Sequence, residues 1–321
     1  MFEDAQSFQL TVYMYGLALA IGAAAWIILA AWLGKKKKLP ESTVLFTGVL
    51  AVPLGLLFAR LVYCLVSLGY FQETIGQPIA MLYFWDGGFS MVGALLGISL
   101  AALMAAWIKK ARPGELMDVL AVPAGLFIAI ERLGETYTIL GRGRSVGVET
   151  LRENVFFGIR DAWSDDVFYA VFRYEALAAL LIFAVMLCLF FSGKARQTAK
   201  PGDLALVFGA LYGSVQVVME SLRDDGHLLW GFVRFSQIAS ILLPVAAIVV
   251  FSVRLIKREG FNWRHIAAWV VAIACIVVGV LKEFDIDTSN NLLREYTIMS
   301  LAMAGLTAVA LLLWRRLKRT V

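Results

Sequence analysis

The chain has 321 residues, of which 60% are hydrophobic and 17% charged, with a formal net charge of +5. Soluble chains carry about 25% charged residues, so a large soluble core is excluded, as are a disordered chain and a disulfide scaffold. Charges confined to short clusters between long apolar stretches describe a polytopic, all-α integral membrane protein, and the basic surplus need not signal a nucleic-acid partner.

The predicted helices follow the apolar runs in chain order. Residues 11–33 open the series; acidic Glu3 and Asp4 precede this run and Lys35 to Lys38 follow it, the reverse of a cleaved signal peptide, so it is kept as a helix. The next run, 43–70, contains Arg60, roughly 26 Å along at about 1.5 Å per residue and so close to the far membrane surface. Runs at 89–108 and 116–131 come next; the latter is short and is expected to be tilted or partly re-entrant. Five more, at 172–192, 204–222, 232–253, 265–282 and 296–314, complete a nine-helix expectation. Eighteen of the 29 basic residues fall in alternate connections: Lys35 to Lys38; Lys109, Lys110 and Arg112; Lys194, Arg196 and Lys200; Arg254, Lys257, Arg258 and Arg264; Arg315, Arg316, Lys318 and Arg319. Because cytoplasmic loops retain positive charge, the N-terminus is expected outside and the C-terminus inside. The outside segment 132–170 is too long for a simple connector.

Ionisable groups within membrane helices are functional candidates. Arg60 is either a snorkelling arginine at a helix end or a ligand for an anion. Trp85-Asp86-Gly87-Gly88-Phe89-Ser90 opens a helix carrying Gly93 and Gly97; Asp86 suits a helix cap there, the glycines suit close packing, and exposed N–H groups suit a phosphate. Glu131-Arg132-Leu133-Gly134-Glu135 runs into Gly141-Arg142-Gly143-Arg144, where arginines can grip phosphate in a bidentate manner or be neutralised by Glu131, Glu135 and Glu149. Glu220 and Arg223 share a helix face and form an ion pair by default; Asp224, Asp225 and His227 follow them. Glu175, after Tyr174, suits the dipole at a helix start. Glu283, Asp285 and Asp287 are read as a loop, solvated or forming an acidic contact surface. Cys64, Cys188 and Cys275 show no metal spacing and, with only two histidines, no metal site is expected. The charged candidates share one depth, the outer boundary, where an anionic lipid headgroup would sit.

Taken in order, Tyr15-Gly16, Arg60 with Tyr63, the Trp85 to Ser90 segment with Gly93 and Gly97, Arg132-Leu133-Gly134 with Gly143-Arg144, Tyr174-Glu175, Glu220-x-x-Arg223 and Ser236-Gln237-Ile238-x-Ser240-Ile241 resemble the prolipoprotein diacylglyceryl transferase family. The resemblance implies a multi-pass enzyme of the bacterial inner membrane that moves diacylglyceryl from phosphatidylglycerol, or another anionic phospholipid, to the thiol of a prolipoprotein lipobox peptide without a cofactor. It implies catalytic roles for Arg132, Glu220 and Asp86. Substrate-binding roles follow for Tyr15, Arg60, Gly87, Gly88, Gly134, Arg142, Gly143, Arg144, Tyr174, Glu175, Arg223 and Gln237. Residues 1–258 would form the family core and 259–321 an added transmembrane hairpin with a basic tail. Four positions depart from the family: Val92 stands for a histidine, Glu135 for an asparagine, Leu140 for a glutamate and Gln216 for an arginine. Arg142 or Arg234 could restore the lost positive charge, and Glu135 or Glu220 could act as base. The alternative reading is a non-catalytic protein binding phospholipid or lipoprotein.

Overall fold

The computed structural model describes residues 13–74, 76–146, 156–160, 166–192, 200–226, 228–230, 233–286 and 288–319. Nine long helices occur among them: α1 (Met14–Lys36), α2 (Glu41–Val66), α3 (Met91–Ile108), α4 (Pro113–Gly134), α5 (Val171–Phe191), α6 (Asp203–Leu222), α7 (Phe235–Glu259), α8 (Trp263–Ile286) and α9 (Leu292–Arg319). All but α4 are both long and apolar enough to cross a membrane. The run expected to be short at 116–131 belongs to a longer helix, since α4 has 22 residues and so runs about 33 Å. Its apolar run reads short because Glu115, Asp118, Glu131 and Arg132 belong to the helix itself. The last three are buried, and bonds to neighbouring elements make that burial tolerable.

α4 and α6 form the centre of the bundle. α4 packs on α1, α5 and α6, while α6 also receives α5, α7 and α9; α2 pairs with α3 and α8 with α9. The α2–α3 contact is set by glycine. A Cβ on Gly93 would lie 2.3 Å from the carbonyl oxygen of Phe58, and one on Gly97 would lie 2.2 Å from that of Leu54. The small-residue pair therefore lets the two backbones touch, as membrane helix pairs often do. α3 is capped by Ser90, whose hydroxyl accepts from the Gly93 N–H at 3.3 Å. This corrects the expectation for Asp86, which instead closes a 3-10 turn at Phe84–Asp86 and whose side chain, like Glu149, His227 and Asp287, lies outside the described residues.

The start of α6 is satisfied by another helix. Asp118 of α4 accepts the N–H groups of Gly202 and Ala205, each at 3.0 Å, which meets the orphan donors that every helix N-terminus presents. Asp203 on the next position holds Arg254 of α7 and accepts the indole N–H of Trp314 of α9 at 3.1 Å. Between α4 and α5 lies a three-stranded antiparallel sheet of order β1-β3-β2, formed by β1 (Ser145–Val146), β2 (Gly158–Arg160) and β3 (Val167–Tyr169). Ser145 pairs with Phe168, and Gly158 with Tyr169. A small hairpin, β4 (Leu229–Trp230) and β5 (Val233–Arg234), precedes α7.

Residues beyond 259 pack directly on the rest of the bundle, since α9 lies against both α6 and α7. Glu283 and Asp285 were expected in a solvated loop. They belong instead to the last turn of α8, where Glu283 meets Gln237 and Asp285 meets Lys282.

Candidate active site

The end of α4, the start of α5 and the end of α6 converge on a buried group of charges. Arg132 is the hub from α4: its Nη1 donates to Glu135 Oε1 at 2.5 Å, and its Nε lies 2.5 Å from Glu175 Oε2 and 3.5 Å from Glu131 Oε2. Arg223, just past α6, donates through Nε to Asp225 Oδ2 at 3.1 Å and through Nη2 to Glu135 Oε1 at 3.5 Å. Its Nη1 is 3.5 Å from Glu175 Oε1 and 3.9 Å from Glu220 Oε1. Gln216 completes the middle, its amide donating to Glu220 at 3.0 Å and to Glu175 at 3.4 Å. Tyr15 of α1 donates its hydroxyl to Glu131 at 2.8 Å. All the carboxylates and guanidinium groups on α4, α5 and α6 here are buried, so removing a single partner would leave an uncompensated charge at high cost.

The loops close over this group through their backbones. Gly141 has φ +70°, and a Cβ there would fall 2.2 Å from Glu135 Oε2, so glycine is required for both conformation and space. Its N–H donates to Asp225 Oδ2 at 2.9 Å. Gly143 donates its N–H to Tyr169 O at 2.8 Å and bridges Arg223, while the carbonyl of Arg142 accepts the Asp224 N–H at 2.8 Å. The Arg142 guanidinium lies over Phe168, 5.8 Å from the ring centre, and Arg144 accepts the Tyr169 N–H through its carbonyl. Gly134 lets α4 reach α1, since a Cβ would lie 2.6 Å from the Ala18 methyl. Tyr174 stacks on Phe157 with ring centres 5.7 Å apart. Arg234 donates to Asp225 at 3.1 Å and to the Arg223 carbonyl at 2.6 Å.

Arg60 belongs to a second group. It is only 4% exposed, which corrects its reading as a snorkelling side chain. Its guanidinium donates to the carbonyls of Ala80, Met81, Gly87 and Gly88 and sits over the rings of Tyr63 and Phe71. Gly88, at φ +73°, has no room for a side chain against Tyr63. The sequence candidates thus divide: Tyr15, Arg132, Gly134, Arg142, Gly143, Arg144, Glu175, Glu220 and Arg223 gather around the buried charges, and Arg60, Gly87 and Gly88 form a main-chain cage beside them. Gln237 bonds none of these charged groups and instead donates to Val217 O at 3.3 Å and to Glu283 at 2.9 Å.

A cleft of about 950 Å³ opens between the end of α2 and residues 225–235. Val62, Leu65, Val66, Leu228 and Phe235 give it apolar walls, and Asp225 supplies its charged edge. Asp225 had not been singled out as a site residue. The signal was its place two residues after Arg223, within reach of the arginine's fork. Chemically the arrangement has two unused capacities. Among the described residues, Arg132 Nη2 makes no hydrogen bond and Arg223 Nη1 meets Glu175 and Glu220 only as an ion pair, at 3.5 and 3.9 Å, while Glu131 Oε2 and Glu135 Oε2 are buried and accept no hydrogen bond; Glu175 Oε2 is held by Arg132 Nε at 2.5 Å. Guanidinium edges suit phosphate oxygens, and the carboxylate oxygens suit hydroxyl donors.

A bundle of helices long and apolar enough to cross a membrane, with a buried arginine-carboxylate centre beside an apolar cleft, is the arrangement of an integral membrane protein with a charged internal site. The family described as prolipoprotein diacylglyceryl transferase matches residues 5–253, and the chain belongs to that family. Similar proteins are phosphatidylglycerol-prolipoprotein diacylglyceryl transferases. The one from Listeria welshimeri is 28% identical over 257 residues, covering 78% of this chain and 88% of the relative. The one from Bacillus licheniformis is 29% identical over 252 residues, covering 77% and 90%, and that from Trichormus variabilis is 29% identical over 237 residues, covering 72% and 82%.

Proposed function

We propose that this chain transfers the diacylglyceryl group of phosphatidylglycerol to the thiol of a prolipoprotein lipobox cysteine. A carbon–sulfur bond forms at the glyceryl carbon as its bond to the phosphate oxygen breaks, and glycerol phosphate leaves with the bonding electrons. The thiol proton goes to a base, because the thiolate is the nucleophile and a free thiol ionises only near about pH 8.5. The observation that carries this reading is the family match running through a site where Arg132 and Arg223 are buried with guanidinium edges not used in hydrogen bonds.

Those two edges hold the phosphate and stabilise the charge that develops on it as the ester bond breaks. The oxygens of Glu131 and Glu135 that accept no hydrogen bond receive the hydroxyls of the glycerol headgroup, which gives the added carboxylates a role in choosing a polyol lipid. Glu220 is the least engaged by arginine, with its one guanidinium partner 3.9 Å away, and serves as base. Gly134 and Gly143 let the backbones close around the headgroup, with Arg142 and Arg144 at its rim. The acyl chains lie in the cleft along α2, bordered by Tyr63. Asp86, Gly87 and Gly88, on the loop that Arg60 holds, and Tyr174 receive the incoming peptide.

The protein is read as a bacterial inner-membrane protein, N-terminus outside, with the site at the outer boundary. The support is the gathering of basic residues at the opposite helix ends. Residues 1–258 form the transferase core and 259–321 an added hairpin, a division supported by the match ending at 253.

The test is complementation of a bacterial strain depleted of its own lipoprotein transferase, paired with glycerol phosphate release from phosphatidylglycerol by the purified protein. Wild type should restore a lipid-modified reporter, and Arg132→Ala and Glu220→Ala should not. Copurifying lipid with no glycerol phosphate release would instead establish a binding protein.

A further inference from the structure

We propose that the two helices beyond the family match form part of the catalytic apparatus. Glu283 and Tyr296 act as positioning residues, holding the last turn of α6 and through it Glu220 and Arg223. The inference rests on the transferase reading above and concerns residues that the family match, ending at 253, does not reach.

Two bonds carry it. The Gln237 amide splits its donors, one to the Val217 carbonyl of α6 at 3.3 Å and one to Glu283 Oε2 of α8 at 2.9 Å. Glu283 thereby fixes the amide that grips α6 one turn before Glu220. The Tyr296 hydroxyl of α9 donates to the Ser221 carbonyl at 3.0 Å. Ser221 lies next to Glu220 and two residues before Arg223, and its carbonyl is among the last four of α6, which have no partner within the helix. The last turn of α6 is therefore held directly by Tyr296 and, one turn earlier, by Gln237, whose amide Glu283 orients from α8. The hairpin that carries Glu283 and Tyr296 is itself closed at this end: Lys282 of α8 bonds Glu295 of α9 at 2.8 Å and Asp285 at 2.6 Å, with Glu295 buried and also taken by Arg294. At its other end the hairpin is joined separately, by the Trp314 indole on Asp203.

Loss of either hold lets Glu220 and Arg223 drift from the geometry needed as charge develops, so the deficit falls on kcat more than on KM. The experiment measures glycerol phosphate release and transfer to a lipobox peptide by the full-length protein in phosphatidylglycerol micelles, with thermal midpoints taken in parallel. Tyr296→Phe and Glu283→Leu should each lower kcat by about two- to tenfold, the worth of one hydrogen bond, with KM for phosphatidylglycerol unchanged. Glu283→Gln, whose amide oxygen can accept the same bond, should restore wild-type kcat. Trp314→Phe removes a hairpin bond of the same kind at the far end and should leave kcat unchanged. Wild-type kcat in both Tyr296→Phe and Glu283→Leu overturns the proposal, as does an equal fall in Trp314→Phe, which would mean the hairpin acts only through stability. An inactive wild type would overturn the transferase reading itself, and with it this inference.

Discussion

Arg132 offers the sharpest test of the buried charge group, because its partners can be removed singly and together. Arg132→Met fills similar space but leaves Glu131, Glu135 and Glu175 facing a thioether. Two of these carboxylates lie 2.5 Å from the guanidinium, and a unit-charge pair at about 4 Å in a medium of effective dielectric about 20 is worth about 4 kcal/mol. Desolvation offsets much of that in the wild type, but it is not returned when only one partner is removed. The expected loss is therefore about 3–5 kcal/mol, a large part of the roughly 5–15 kcal/mol that stabilises a typical fold. Glu175→Gln keeps the side chain's shape and removes one of the three charges that Arg132→Met would strand. Combining the two should cost less than the sum of the single changes by about 2 kcal/mol, within the range for residues in direct contact. Thermal unfolding of the four proteins in one detergent measures the cycle. Effects that add to within about 0.5 kcal/mol would show that Arg132 and Glu175 are not coupled, and the reading of the centre as one electrostatic unit would fail.

Other perturbations follow from the same geometry. Gly141→Ala places a methyl 2.2 Å from Glu135 Oε2 at a positive φ; it should abolish complementation and lower stability by about 1–3 kcal/mol, read by a reporter strain and a melting curve. Arg60→Lys cannot span four carbonyls, so limited proteolysis should cut within residues 76–90 at least tenfold faster than in wild type. Gly97→Leu drives a side chain into the Leu54 carbonyl and should cost at least about 3 kcal/mol through separation of α2 from α3, seen as loss of folded protein by size-exclusion chromatography.

The convergence of the candidate residues on one end of the bundle was legible in the chain, because antiparallel helices of similar length return charges at alternate ends to the same level. Arg132, Glu175, Glu220 and Arg223 could be grouped on that ground alone. Their pairing could not, since Glu175 lies 41 residues from Gln216 and Arg223 lies 88 from Glu135, and no local periodicity encodes such contacts. Arg60 misled for a related reason: a charged residue near a helix end looks snorkelled in one dimension, whereas the 76–90 segment folds back and surrounds it with carbonyls. The apolar run of α4 stops short of Arg132 because a charged residue reads as a boundary in one dimension, although Arg132 is partnered inside the bundle. Gln237 was assigned to substrate through the motif it shares with the family; its bond to Glu283, 46 residues on, depends on a hairpin that the motif does not include.

The tethering of α6 has a consequence for motion. Asp118 grips its first turn and Tyr296 its last, and both grips use the helix's own main chain. A helix clamped at both ends can neither slide along its axis nor rotate without breaking these bonds, so the position of α6 is tied to that of α4 and α9. The cleft is walled by the end of α2 and by residues around the hairpin before α7, none of them in α6. Arg234 of that hairpin bonds both Asp225 and the Arg223 carbonyl, so a movement of the hairpin to pass lipid would be felt at the charged end of α6 while its first turn stays anchored on Asp118.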